Sequence, residues 1–346
     1  MLVAILSGFA YGANEGDEMT VELEAISASR IGGGPLIHAG LHPSIGDNIQ
    51  GPSLIKVPDW LENKLGNYYL YFADHKGAYI RLAYADEITG PWNIYPPGSL
   101  QLADSHFLTE PPSVTDEQAD QVRAAFAKSG IEIPHDPVLE VTAPHIASPD
   151  VHVDHEQRRI VMYFHGLEGV GHQVTRVATS TDGINFQARE EVLGRTYWRS
   201  FEYRDQYYGL AMPGVIYRSD DPLTGYQQGP ELFNPDMRHS AVLRRGDRLF
   251  VFWTQVKEVP EHIKISVIDL SGDWLGWREQ GTHEVLRPQL EWEGAQAPLQ
   301  PSRRSTAYGL VNQLRDPAIY EEDGRVYLLY AYGGESGIAL AEVSGL

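Results

Sequence analysis

Arg315-Asp316-Pro317-Ala318-Ile319-Tyr320-Glu321-Glu322-Asp323-Gly324-Arg325-Val326-Tyr327-Leu328-Leu329-Tyr330 reads as an apolar strand, a tight turn and an aromatic-rich strand. Glu322-Asp323-Gly324 is hairpin chemistry, because glycine accepts the positive φ that such turns impose. The same phrase recurs upstream. Gly51-Pro52-Ser53-Leu54-Ile55 precedes Asn67-Tyr68-Tyr69-Leu70-Tyr71-Phe72, and Ser148-Pro149-Asp150-Val151-His152 precedes Arg159-Ile160-Val161-Met162-Tyr163-Phe164. Arg199-Ser200-Phe201-Glu202-Tyr203 leads to Gln206-Tyr207-Tyr208-Gly209-Leu210, and His239-Ser240-Ala241-Val242-Leu243 leads to Asp247-Arg248-Leu249-Phe250-Val251-Phe252. Five copies imply five structural units.

Each copy continues into a third strand, such as Tyr79 to Ala85 or Gln173 to Thr179, and four reach a fourth strand expected to end at Trp92, Phe186, Tyr226 or Trp277. Four-stranded meanders that cannot cover both faces alone pack radially, so the sequence predicts an all-β, five-bladed β-propeller of antiparallel meanders over residues 48–346. The last copy has three strands, and Thr20 to Ala25 is the expected source of the fourth, closing the ring. Residues 1–47 read as a separate N-terminal segment. Insertions are expected at about 94–140 and 281–314. The first carries one short helix opened by Thr115-Asp116-Glu117-Gln118 and ended by Gly130, and both are read as walls of a site, with an oligomer contact as the alternative.

Composition removes several classes of function. The 346 residues hold 27 Lys and Arg against 47 Asp and Glu, a formal charge of −20 that repels phosphate backbones and anionic lipid, so neither nucleic acid nor a membrane is an expected partner. With no cysteine, disulfides and thiolate chemistry are absent. Leu2 to Ala13 is apolar and ends near Ala10-Tyr11-Gly12, yet no Lys or Arg precedes it. A truncated signal peptide would place the protein in the periplasm or outside the cell; otherwise the cytoplasm is expected.

In a meander the start of the first strand and the end of the second lie on the same side. Around an axis, strand starts therefore gather Asn48, Gln50, His145, Asp150, Trp198, Arg199, Arg238, His239, Arg315 and Asp316, and second-strand ends add Asp74, His75, His165, Thr254, Gln255 and Glu335. Asp150, Asp316, Glu202 and His239 are the catalytic candidates. Substrate contacts are assigned to Asp74, His75, His145, His165, Trp198, Arg199, Arg238, Gln255, Arg315 and Glu335, with Trp198 offering an exposed indole for stacking on a sugar ring. No histidine pair has a recognised metal spacing, so no cofactor is required, although the imidazoles and carboxylates are compatible with calcium or another divalent ion near the axis. Arg199, Arg238 and Arg315 point to an anionic sugar.

The phrase from Arg315 to Tyr330, together with Ser180-Thr181-Asp182-Gly183-Ile184-Asn185-Phe186, resembles the blade signature of the five-bladed glycoside hydrolases, the group of arabinanases, xylosidases, invertases and anhydrogalactosidases. That resemblance implies hydrolysis of a poly- or oligosaccharide by an Asp base or nucleophile, a tuning Asp and a Glu acid. It places Asp150 as tuning or base aspartate, Arg315-Asp316-Pro317 as an invertase-like motif and Glu202 as acid, with His239 as rival acid. Gly51-Pro52 stands where the first blade usually has Asp-Pro, leaving Asp47 or Asp74 as substitutes. Two other readings stay open: a lyase using His and Arg on a uronate, and a carbohydrate-binding propeller without turnover. Assembly into oligomers is left open.

Overall fold

The computed structural model describes residues 23–130 and 133–346. Its strands form five antiparallel sheets, each a blade. Blade 1 runs Gln50–Lys56, Tyr68–Ala73, Arg81–Ala85 and Asn93–Tyr95, and blade 2 runs Ile146–Asp154, Arg159–Gly169, His172–Ser180 and Gln187–Ala188. Blade 3 runs Arg199–Tyr203, Gln206–Ala211, Val215–Ser219 and Gln227–Glu231, and blade 4 runs Met237–Arg245, Arg248–Gln255, Ile263–Asp269 and Glu279–Leu286. Blade 5 has Arg315–Glu322, Arg325–Ala331 and Gly337–Ser344. In each blade the first strand is innermost, since first strands of neighbouring blades contact one another.

The second strands explain why a ring forms. In Tyr68–Ala73, Tyr69 and Tyr71 pack toward blade 2 with Ile160, Met162 and Phe164, while Tyr68, Leu70 and Phe72 pack toward blade 5 with Leu329 and Leu340. Successive side chains on a strand point to opposite faces, so an unbroken apolar run demands cover on both. Five apolar clusters fill the five spaces between blades.

The fourth strand of blade 5 is Ser27–Arg30, antiparallel to Gly337–Ser344, with Ser27 opposite Ser344 and Arg30 opposite Ala341. Ile37–His38 adds a further short pairing to the same strand. Closure by the N-terminal part is thus as expected but from a different segment. Thr20 to Glu22 and the apolar Leu2 to Ala13 lie outside the described residues, and Leu23 to Ala25 forms a turn in which Leu23 O accepts from Ile26 N. Blade 5 therefore reaches back across the 1–47 boundary.

The aromatic residues Trp92, Phe186, Tyr226 and Trp277 precede the outer strands instead of ending them. Trp92, Phe186 and Trp277 are buried between blades, which leaves the outer strand to follow. Consequently Glu279–Leu286 belongs to blade 4, and the second insertion starts at 287. The first insertion contains helix α1, Asp116–Ser129, capped by reciprocal bonds between Thr115 and Gln118 and ended by Gly130 at φ 65°. A second helix, α2, Pro137–Thr142, was not anticipated; Asp136 caps it and proline occupies its first turn. No helix among the described residues is long and apolar enough to cross a membrane.

The closing strand is fastened by charge. Arg30 donates to both oxygens of Glu293, Nε to Oε1 at 2.6 Å and Nη2 to Oε2 at 2.7 Å, and the fully buried Glu293 also accepts from Tyr330 Oη at 2.9 Å. Removing Arg30 leaves a buried carboxylate without its cation. Arg30→Ala is expected to lower stability in urea unfolding toward the lower end of about 3–5 kcal/mol, because Arg30 is itself partly exposed, and Arg30→Lys is expected to restore part of the loss.

Candidate active site

Four innermost strands start with the same irregularity. Pairing jumps from Gln50 to Ser53, Ala147 to Asp150, Met237 to Ser240 and Arg315 to Ala318, so in each case two residues bulge toward the axis. Blade 3 makes the same jump just before its first strand, from Thr196, whose carbonyl accepts from Met212 N, to Arg199. The first bulged residues are Gly51, Ser148, Tyr197, Arg238 and Asp316; all but Arg238 have positive φ, from 47° at Asp316 to 63° at Gly51. Crowding decides the residue at Gly51, where a Cβ would stand 2.9 Å from Ser148 Cα.

This register separates two aspartates that the sequence places together. Asp316 occupies the bulge, whereas Asp150 sits beyond it, level with Ser53, Arg199, Ser240 and Ala318. Asp150 lines a channel that enters the axis from the hairpin end, with Lys56, His155 and Glu321 to Asp323 at its rim. The expectation that Asp150, His239 and Asp316 open onto one mouth therefore fails for Asp150.

Around the bulge level lies a dense polar group. His145 and His165 stand 6.2 Å apart, and Tyr197 lies between His165 and His239 at 4.6 and 4.5 Å, measured between ring centroids. Asp316 N donates to His239 Nδ1 at 3.2 Å, which assigns the proton of the neutral ring to Nε2, and Asp316 Oδ1 lies 3.2 Å from the same nitrogen. Burial, with Arg238 and Arg315 adding to it, holds His239 well below the ordinary histidine pKa; burial also lowers His165 strongly and His145 to about 3. His145 Nε2, His165 Nδ1, His239 Nε2, Thr254 Oγ1 and both Asp316 oxygens are buried without hydrogen-bond partners.

Asp316 and Glu335 are driven apart electrostatically. Burial, reinforced by the charge of Glu335, pushes the Asp316 carboxyl up to about 7. Burial would raise Glu335 as well, but His75 at 3.3 Å, Arg315 at 2.6 Å and Arg238 at 3.9 Å outweigh it and hold Glu335 well below the usual carboxylate range. Arg238 and Arg315 also face the buried Glu261 at 3.3 and 3.6 Å. Both guanidiniums are thus matched by carboxylates, which removes the support they lent to an anionic sugar. Glu261, buried in this group, carried no recognisable signal in the sequence.

The two insertions meet above this group. Carbonyls of Arg303 and Ser305 accept from Arg238 at 2.9 and 2.8 Å. Ser305, Thr306 and Tyr308 donate to Glu140 of α2, which also receives His135 and pairs with Lys76 of blade 1 at 3.7 Å. Beside the roof lies a pocket of about 890 Å³, lined by Asp47, Asn48, Asp74, Lys76, Glu140, Tyr308 and Glu335 among others. Glu335 connects it to the axis, and Asn48 donates to Glu335 Oε2 at 2.7 Å. The two insertions cover this polar group, and Glu140, like Glu261, is a residue that sequence reading missed.

Other candidates fall elsewhere. Trp198 is 1% exposed and packs among Tyr163, Tyr217 and Tyr226; Gly209 makes its room, since a Cβ there would overlap the indole at 1.8 Å. It cannot stack on a sugar. Glu202 is exposed, projects from the opposite face of its strand and lines a separate pocket with His152 and Tyr207. Gln255 accepts from Lys264 and Asn234, and Asp74 pairs with Arg81 at 3.2 Å. Among the described residues no three His, Asp or Glu side chains are arranged to hold a metal ion.

Five antiparallel sheets about a polar axis define a five-bladed β-propeller with the architecture of the five-bladed glycoside hydrolases, as the resemblance implied. A β-xylosidase/α-arabinofuranosidase of glycoside hydrolase family 43 from a compost microbial metagenome, solved with xylotriose in a calcium-free form, superposes with a TM-score of 0.53 at 11% identity over 92% of this chain and 94% of that one. An endo-1,4-β-xylanase from Bacteroides thetaiotaomicron gives 0.53 at 12% identity over 85% and 89%. In sequence the chain is 33% identical over 322 residues to an uncharacterized protein of Acanthamoeba polyphaga mimivirus, covering 86% of this chain and 83% of the viral one, and it belongs to the family of that protein. No model of a known protein family matches.

The raised Asp316 pKa has a consequence for stability. Asp316 contributes fully when protonated in both folded and unfolded chains, below about pH 4, and that contribution is lost as pH rises through about 7. Asp316→Asn does not titrate. Its stability relative to the native chain is expected to grow between pH 4 and 7, by at most roughly 4 kcal/mol, and to level off above, as read by urea unfolding across pH.

Proposed function

We propose that the protein is a glycoside hydrolase acting on a poly- or oligosaccharide at the roofed end of the propeller axis. The observation that carries this reading is one buried group holding two carboxyls pushed in opposite directions, Asp316 raised by burial to about 7 and Glu335 held low by His75, Arg315 and Arg238, since carboxyl groups with separated pKa values are the equipment for acid and base roles. In this reading Asp316 protonates the leaving glycosidic oxygen, and Glu335 activates water or attacks the anomeric carbon. His239 fixes the Asp316 backbone and presents an Nε2 proton to a sugar hydroxyl. Asp316 is 1% exposed, so the insertion over it has to shift for substrate to arrive, and the adjoining pocket offers the approach.

The lyase reading is weaker at the roofed end, because Arg238 and Arg315 there are matched by Glu261 and Glu335. Glycan binding without turnover keeps one specific support: Asp316 is the sole carboxylate among the first bulged residues, the others being Gly51, Ser148, Tyr197 and Arg238. Location in the cell and any bound ion form no part of the proposal.

Mass spectrometry of products from a panel of arabino-, xylo- and galacto-oligosaccharides tests the reading. Hydrolysis is expected with native protein, and Asp316→Asn should reduce kcat by about 10²–10⁴ while the fold persists. Because the protonated acid is the working form, kcat/KM should decline as pH rises through about 7. Binding across the panel with no product would favour the non-catalytic reading, and full activity in Asp316→Asn would remove Asp316 from the chemistry.

A further inference from the structure

The hairpin end of the axis holds a second arrangement, independent of any turnover at the roofed end. At one level of the innermost strands stand Ser53, Asp150, Arg199, Ser240 and Ala318, three small side chains and one charge pair. The small residues leave space, and a channel of about 490 Å³ opens there.

Comparison between blades shows what the structure requires at this level. Ser53 Oγ accepts from Val151 N of the next blade at 2.8 Å, and Asp150 Oδ2 accepts from Ser200 N of the following blade at 2.8 Å. The contact is a clasp between adjacent innermost strands, and blade 1 makes it with a single hydroxyl oxygen. Asp150 therefore carries one oxygen more than the clasp uses. Oδ2 also meets His152 Nε2 at 2.8 Å, whereas Oδ1 has no hydrogen bond among the described residues and lies 3.7 Å from Arg199 Nη1. Arg199 spends Nε on Ser240 O at 2.7 Å and Nη1 on Pro149 O at 3.0 Å, leaving Nη2 without a partner among the described residues. Asp150 and Arg199 are 8% and 4% exposed, and both line the channel. Charged atoms that make no hydrogen bond and face open space are available to a ligand.

We propose that this channel is a second binding site, for the vicinal diol of a neutral sugar, with Asp150 Oδ1 accepting from one hydroxyl and Arg199 Nη2 donating to its neighbour. The chemistry selects against an anionic ligand in two ways. A carboxylate seeks two parallel N–H groups from one guanidinium, and only one nitrogen of Arg199 is open. The rim residues Glu321, Glu322 and Asp323 add negative charge at the opening, offset in part by Lys56, which pairs with Glu322. His152, half-exposed beside the Asp150 carboxylate, is a third lining group and a reporter of occupancy.

Calorimetric titration of the whole protein with methyl glucopyranoside, methyl galactopyranoside, methyl xylopyranoside and glucuronate tests the site, accompanied by NMR of the histidine ring protons. A neutral glycoside is expected to bind more tightly than glucuronate and to shift the His152 resonances. Asp150→Ser, which keeps the kind of oxygen that serves blade 1, should weaken that binding at least tenfold. Should Asp150→Ser not fold, the His152 shifts in the native protein decide. Stationary His152 signals under all three neutral glycosides would overturn the proposal, as would stronger binding of glucuronate or undiminished binding in a folded Asp150→Ser.

Discussion

A strand buried on both faces is the constraint on which this molecule depends. Tyr68–Ala73 sends alternate side chains into two different apolar clusters, and Arg325–Ala331 does the same with Leu328 and Tyr330 on one side and Tyr327 and Leu329 on the other. Such a strand has no solvent face, so its sheet has to be flanked twice. A row of such sheets ends in exposed faces unless it closes on itself, and the pairing of Ser27–Arg30 with Gly337–Ser344 completes the circle. The innermost strands then converge on an axis too narrow for large side chains at every position.

Convergence forces charge into low dielectric, and the protein answers mainly by pairing. Glu261 and Glu335 offset Arg238 and Arg315, Glu293 is enclosed by Arg30, Tyr330 and backbone amides, and Asp150 is met by His152, Arg199 and Ser200 N. Asp316 is the exception. Its backbone N–H and Oδ1 both lie 3.2 Å from the neutral His239 Nδ1, no Lys or Arg of the described residues pairs with its carboxyl, and burial with a neighbouring anion raises its pKa to about 7. The same economy that stabilises the ring thereby leaves one carboxyl in an acid's condition.

Legibility differed by the range over which each feature is decided. The five repeats, the hairpin turns and the helix opened at Thr115 are set by contiguous residues, and each was readable. Ring closure was readable as a need but not as a segment, because Thr20 to Ala25 and Ser27 to Arg30 are both short and only the partner strand Gly337–Ser344 distinguishes them. Trp198 beside Arg199 looked exposed; the notch at Gly209 that receives it belongs to the facing strand. Asp150 and Asp316 each accompany a proline, one after it and one before it, and that two-residue difference places them on opposite sides of the bulge.

By itself the sequence determined the fold class and the number of blades, since alternation, turn residues and repeat length act locally along the chain. Only the tertiary structure decided which polar residues share a space. Register between strands, the path of Glu140 and the 287–314 insertion across the roof, and the matching of Arg238 and Arg315 by buried glutamates depend on atoms far apart in the chain, and burial, which sets the charge of Asp316, exists only once those atoms have met.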